Sequence, residues 1–161
     1  MSISACPVDR DPPVDERGVR FAAAVTTAVL ALVLVSGSGL LLAAQGAVFA
    51  LGAFAGPRFA PYPVLYRRLV APRLGAPARW EGSAPVRFSQ GVGLVFAAVG
   101  AVAYLAGAPV VGAVATTFAL VAAALNATVG FCLGCRMYGL LHPLLTRSRT
   151  HRRIDRQGAT A

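Results

Sequence analysis

The sequence predicts an all-α integral membrane protein, a four-helix bundle with a proline- and arginine-rich interfacial loop between its second and third helices. The first observation is composition: 57% of the 161 residues are hydrophobic, 13% are charged and the mean hydropathy is +0.66, which is too apolar for an ordinary soluble domain. The second is that four apolar runs are separated by segments rich in glycine, proline, serine or arginine. The third is that all 15 cationic residues are arginines, placed in blocks beside these runs, as expected next to an anionic cytoplasmic leaflet. The lipid bilayer is therefore the first predicted partner.

The N-terminal part predicts a tail and two membrane spans. Residues 1–18 form a polar tail that becomes helical near Asp15 or Glu16. Two apolar runs follow, and a Ser-Gly-Ser-Gly segment separates them. One helix over both runs would be about 50 Å long, well beyond a hydrocarbon core of about 30 Å. We therefore predict spans at about 20–37 and 40–56. A cleaved signal peptide is less favoured, because the preceding segment is long and carries four acids.

The central loop, residues 57–87, combines six prolines with six arginines. The prolines exclude a long helix, but residues 64–70 fit a short one lying in the headgroup region. Its arginines and tyrosines would reach water while Leu65 and Leu69 face the lipid.

Two further apolar runs predict spans at about 88–106 and 109–131, which complete a membrane domain over residues 19–141. Residues 142–161 form a basic C-terminal tail without regular structure. Small residues recur at four-residue spacing in both spans, which allows close helix packing; they are Gly93, Ala97 and Ala101 in the third span, and Ala115, Ala119, Ala123 and Ala127 in the fourth.

The arginine count orients the protein. The N-terminal tail, the central loop and the C-terminal tail carry three, six and six arginines, whereas the two short turns carry none. By the positive-inside rule, both termini and the central loop are cytoplasmic. The charge does not predict nucleic-acid binding, because no aromatic-interleaved basic surface or binding motif accompanies it.

A Cys-x-x-Cys pair, Cys132 and Cys135, stands where the fourth apolar run ends. On a helix this spacing places both sulfurs on one face, near the distance that a disulfide accepts. Thiol exchange needs such proximity, because one thiolate attacks and the other resolves the mixed disulfide. A helix C-terminus disfavours a thiolate, and Arg136 would oppose that effect. Alternatively, a break at Gly134 lets Cys135 begin a new helix, whose N-terminus favours the thiolate.

Other roles for the cysteines stay open at this level. Both are small and apolar enough to serve only in packing. A metal site would need Cys132, Cys135, Cys6 and His142 together, a geometry that nothing in the sequence supports, so no metal is predicted. Cys6 is either a second redox thiol on the tail or an unpaired cysteine.

Polar residues inside the spans are the remaining candidates: Gln45, Gln90, Tyr104 and Asn126. For Asn126, hydrogen bonding across the bundle is the preferred interpretation. Thr128 stands four residues before Cys132, so on a continuous helix it would share the face of that sulfur. Paired intramembrane carboxylates and intramembrane histidines do not occur in the four runs, which disfavours a proton-coupled pump.

Two motifs carry a family resemblance. These are an Arg-Phe-x-Gln-x-x-Gly core and a Cys-Leu-Gly-Cys-x-x-Tyr core. With the proline- and arginine-rich loop between them, the chain resembles, over roughly residues 6–141, the bacterial membrane family called domain of unknown function 4395. The resemblance implies a small multi-pass protein of the bacterial cytoplasmic membrane, and a thioredoxin-like or sulfurtransferase protein as its partner. The residues of the two cores are Arg87, Phe88, Gln90, Gly93, Cys132, Cys135 and Tyr138.

The leading functional hypothesis is thiol–disulfide exchange or sulfur relay, in which Cys132 and Cys135 react with that partner and Arg136 stabilises a thiolate. The rival hypothesis is a non-enzymatic membrane scaffold or small-solute permease component whose cysteines only pack. The cofactor stays open, and a bundle this small could require a second copy of itself. Residues expected to line the approach of substrate or partner are Arg87, Gln90, Asn126, Tyr138 and Cys6.

Overall fold

The computed structural model describes residues 12–75, 79–130, 132 and 137–138, and most of them are helical. The all-α prediction is confirmed. The helices are α1 Glu16–Ser36, α2 Gly39–Ala50, α3 Pro61–Leu69, α4 Ala71–Leu74, α5 Ser83–Leu105 and α6 Pro109–Val129; two short strands are β1 Val14–Asp15 and β2 Trp80–Glu81; a π-helical turn Leu51–Ala55 and a 3-10 turn Pro57–Phe59 follow α2.

The ends of the first two helices follow from local chemistry. Asp15 caps α1 by accepting a hydrogen bond from the Arg17 backbone N–H at 2.9 Å. At the other end, Gly37 adopts a left-handed conformation (φ 63°) that stops α1. Ser38 then caps α2 by accepting from the Leu41 N–H at 3.2 Å. The predicted Ser-Gly turn is therefore the joint between two antiparallel helices.

Four helices form the bundle. Helix α1 packs mainly against α6, α2 against α5, and α5 against α6, whereas the consecutive helices α1 and α2 touch less. Leu30, Val33 and Leu42 are completely buried at its centre. The predicted small-residue stripes lie at the helix contacts, where their size lets backbones approach; Ala97, Ala101, Ala115 and Ala119 are all buried.

The outside of the bundle is apolar, which identifies a membrane protein. Val35 is 86% exposed, Val110 74% and Val102 67%, and such large exposed apolar surface is suited to lipid rather than water. Three helices, α1, α5 and α6, are long and apolar enough to cross a bilayer. The apolar segment Gly39–Ala55 is shorter.

One end of the bundle, here called the arginine end, gathers the starts of α1 and α5 and the ends of α2 and α6. Strand β1 pairs antiparallel with β2, so that Asp15 faces Trp80 immediately before α1 and α5 begin. Helix α2 must therefore return the chain from the far end of α1 to the arginine end. The Tyr66 hydroxyl on α3 donates to Asp15 Oδ2 at 2.9 Å, which fastens the central loop to the same place.

The short helix expected over 64–70 is present as α3 but begins at Pro61. Helix α5 likewise begins at Ser83 rather than near residue 88. Prolines at the first turn of a helix are tolerated because the missing N–H groups would have no intrahelical partner there. Leu65 and Leu69 are both exposed, as predicted.

Candidate functional site

Cys132 lies beyond the end of α6. Gly130 has a left-handed backbone (φ 68°), and its N–H donates to the Asn126 carbonyl, which ends the helix at Val129. Helix α6 therefore ends two residues before the approximate limit expected for the fourth span, and Cys132 does not share a continuous helix with Thr128. The Thr128 hydroxyl instead donates to the Ala124 carbonyl at 2.8 Å. The Cys132 side chain is partly exposed.

Several predicted residues fall outside the described part of the chain. They include both possible partners of Cys132 and the residue expected to stabilise its thiolate. Met137 and Tyr138, just beyond, have a helical backbone. The predictions that lie outside the described residues are those for Cys6, Gly134, Cys135, Arg136 and His142.

Arg20 occupies the C-terminal end of α6. Its guanidinium donates from Nη2 to the Thr128 carbonyl at 2.8 Å and to the Ala127 carbonyl at 3.4 Å. These carbonyls belong to the last turn, which has no intrahelical donors. A cation there also opposes the partial negative charge of the helix end, a contribution of about 0.3–1 kcal/mol at a surface. Arg20 therefore counters the effect that was expected to disfavour a Cys132 thiolate.

Glu81 on β2 carries a carboxylate whose surroundings favour its protonated form. Its Oε2 is buried and has no hydrogen-bond partner among the described residues. Burial raises the pKa of Glu81, and negative charge at Cys132 and at Glu16 raises it further. Glu81 and Cys132 are therefore close enough for the ionisation of one to oppose that of the other.

A cavity of about 650 Å³ opens beside Cys132. It runs along α1 from Gly18 to Thr26, a depth of about 12 Å at 1.5 Å per residue. Its lining is mostly apolar, with Phe49, Phe96 and Phe118 among the larger side chains. Its size and apolar character are those of small-molecule sites.

The cavity brings together three of the predicted residues. Gln90 from α5, Asn126 from α6 and Cys132 all line it. Arg87 and Tyr138 do not. The Arg87 guanidinium donates to the Ala53 carbonyl at 2.9 Å and the Phe54 carbonyl at 2.8 Å, where the π-helical turn follows α2.

The remaining polar candidates make contacts outside the lining of this cavity. The Tyr138 ring contacts Phe88, with centroids 5.8 Å apart. Gln45 is buried and accepts a hydrogen bond from the Tyr62 hydroxyl at 2.7 Å. Tyr104 lies against Gly112. The hydrogen bond between helices that was preferred for Asn126 is not found among the described residues.

Sequence reasoning missed Arg20 and Glu81. One signal was available for Arg20, because an arginine just inside an apolar helix needs a partner near the helix end. No local pattern marks Glu81, whose character comes from its burial and from the charges of Cys132 and Glu16.

The described residues contain no group of three or more histidine, cysteine or acidic residues that could hold a metal ion. Comparison with protein families gives one match, in which the family model described as "Domain of unknown function (DUF4395)" covers residues 14–142. Neither the curated proteins nor the solved structures contain a match.

Proposed function

From the premise that this chain belongs to the family of domain of unknown function 4395, we propose that it exchanges thiols and disulfides at the cytoplasmic face of a bacterial membrane. The observation that carries the proposal is the position of Cys132. It lies past a helix end, partly exposed, on a cavity wall, with a carboxyl group and a helix-capping arginine nearby. A cysteine that served only in packing would be buried among apolar side chains.

The proposed topology has four spans with both termini in the cytoplasm. Its support is the return of the chain through α2, which must run the length of the bundle between α1 and α5. The arginines of the described loops lie at the arginine end, and the turns at 37–38 and 106–108 carry none. The positive-inside rule then assigns the arginine end, with Cys132, to the cytoplasm.

The proposed reaction uses Cys132 and Cys135 as one pair. A thiolate of a thioredoxin-like partner attacks the Cys132–Cys135 disulfide and forms a mixed disulfide, and the partner's second thiol then releases it. Two electrons and two protons pass to the pair, while the partner's two thiols become a disulfide. Glu81, with its raised pKa, is suited to give a proton to the leaving sulfur of Cys132. Arg136 is proposed to stabilise the same thiolate.

Alkylation gel shifts test the reaction. The purified protein, treated with oxidant or with a reduced thioredoxin, is labelled with a large maleimide before and after reduction. We expect oxidant to protect two thiols and reduced thioredoxin to release them. The Cys132→Ser and Cys135→Ser variants should each abolish the protection, whereas the matched control Cys6→Ser should keep it.

Two other results would redirect the proposal. If Cys132 and Cys135 remain freely alkylated under oxidant, the exchange proposal fails and a non-enzymatic scaffold or permease component is favoured. A persulfide on Cys132 after incubation with a sulfurtransferase would instead show a sulfur relay. Impermeant maleimide on intact cells tests the topology, and labelling of Cys132 from outside would contradict it.

A further inference from the structure

Two carboxamides face the apolar cavity from different helices. Gln90 lies on α5, about 10 Å inside the arginine end, and Asn126 lies on α6, about 5 Å inside it. Both residues are partly buried and line the cavity, and neither side-chain amide makes a hydrogen bond with another group in the described part of the chain. Unsatisfied amides are costly in an apolar, membrane-embedded setting. Their presence indicates a bound molecule that supplies hydrogen-bond partners.

The space around these amides is kept open by small residues. A Cβ at Gly52 would lie 2.9 Å from Gln90 Cγ and 3.1 Å from its Oε1. Any larger residue at position 52 would therefore displace the Gln90 side chain. Asn126 has Ala122 and Ala123 as neighbours in the lining, one turn along α6. Phe49, Phe96 and Phe118 provide the large apolar side chains of the cavity wall.

These features select the chemistry of the ligand. A suitable ligand is apolar, flat enough for a site with aromatic walls, and carries acceptors for the two amide N–H groups. We propose that the cavity binds the ring of an isoprenoid quinone, with Gln90 and Asn126 donating to its carbonyl oxygens and Cys132 beside it. A phospholipid would instead place its phosphate at the arginines and only acyl chain against the amides.

The quinone would accept the electrons that the proposed thiol exchange delivers to Cys132 and Cys135, so this step rests on the proposed function. When the Cys132 and Cys135 thiols are reoxidised, two S–H bonds break and one S–S bond forms. The two electrons and two protons pass to the quinone, whose carbonyls become the hydroxyls of the quinol. Electrons from a cytosolic dithiol would thus reach the membrane quinone pool through this chain.

The chain contains a built-in probe for the test, because its single tryptophan, Trp80, lines the same cavity. Protein in lipid nanodiscs is titrated with a short-chain ubiquinone, and quenching of Trp80 fluorescence is measured. We expect saturable quenching. Gln90→Leu and Asn126→Leu should each weaken binding about five-fold, the effect of one net hydrogen bond. Ala122→Phe, which fills the cavity, should abolish saturation.

Two controls separate quinone binding from nonspecific effects of substitution and from thiol exchange. Thr117→Val removes a hydroxyl from the exposed face of α6 and should leave the affinity unchanged. The titration is run without thioredoxin, so that binding is judged apart from thiol exchange. Circular dichroism of each variant identifies any that misfold, and Asn126→Gln should restore part of the affinity.

Three outcomes would overturn the quinone site. One is quenching that rises linearly without saturation in every variant. Another is saturable quenching that is indifferent to Gln90, Asn126 and Ala122. The third is quenching displaced in proportion to phosphatidylglycerol in the nanodisc, which would assign the cavity to a phospholipid.

Discussion

A single methyl group added at Gly112 should measure how closely α5 and α6 pack. An ideal Cβ at Gly112 would lie 2.7, 2.8 and 2.9 Å from three ring atoms of Tyr104 on α5. Ordinary contacts to a Cβ begin at 3.4 Å, so the ring and the backbone must separate by about 0.7 Å. A ring carried at the helix contact cannot swing away as the tip of a flexible side chain could.

The expected magnitude comes from comparison with Gly91→Ala on α5. A Cβ at Gly91 meets nothing within 4 Å. Both substitutions gain the same helix propensity, about 1 kcal/mol in water, and the propensity therefore cancels in their difference. The difference leaves the overpacking term alone, for which about 1–3 kcal/mol is typical. Gly112→Ala should be less stable than Gly91→Ala by that amount.

The assay is unfolding in mixed micelles, followed by far-ultraviolet circular dichroism. Tyr104→Leu combined with Gly112→Ala should recover most of the loss, since the pair shares one contact. If Gly112→Ala proves as stable as Gly91→Ala, the close approach of α5 and α6 described here is refuted.

Three further predictions concern the arginine end. Tyr66→Phe should lower the free energy of unfolding in micelles by about 1–2 kcal/mol, because the buried hydroxyl donates to the Asp15 carboxylate. The control is Tyr104→Phe, which removes a hydroxyl that makes no hydrogen bond with the described residues. Arg87→Lys should cost about 1 kcal/mol by the same measurement, since an ammonium cannot keep both carbonyl contacts of the planar guanidinium, and equal stability would show that the fork is unimportant. Glu81→Gln should raise the melting temperature at pH values well above 4.5 and have little effect well below it. The pKa of Glu81 is higher in the folded state than in the unfolded state, so the folded state binds the proton more tightly. The stability of the original protein therefore falls as the pH rises from 4.5 to the raised pKa, and the neutral glutamine removes that loss. A melting-temperature difference that is the same at every pH would show that the Glu81 proton is not involved.

The helices could be predicted from sequence because apolar runs and their glycine breaks are local signals. The helix ends were harder to predict, because proline or glycine can either interrupt a helix or occupy its first or last turn. Pro85 reads as a helix breaker but lies in the first turn of α5, where its missing N–H costs nothing. Near the cysteines the expected break was Gly134, whereas the left-handed backbone of Gly130 ends α6.

The candidate site could be predicted only in part. Cys132, Gln90 and Asn126 were identifiable by residue type, because thiols and amides in apolar segments are unusual. That they share one cavity could not be known without the packing of α5 against α6. The Arg20 contact joins residues 108 positions apart, and Glu81 gains its character from burial. Neither the Arg20 contact nor the burial of Glu81 produces a repeating pattern in the sequence.

The packing of α1 against α6 joins the first long helix of the described residues to the last. During synthesis α1 enters the membrane well before its main partner exists, and its buried face, with Ala22, Ala23 and Thr26, has to remain in lipid until α6 follows. The arginine end also closes late, because β1 cannot pair until β2 has left the ribosome. Cys132 comes after α6, so the proposed reactive thiol is added only when the ring of helices is already complete. Chains that stop before residue 109 would expose an unpartnered α1 to membrane quality control without ever having carried a competent site.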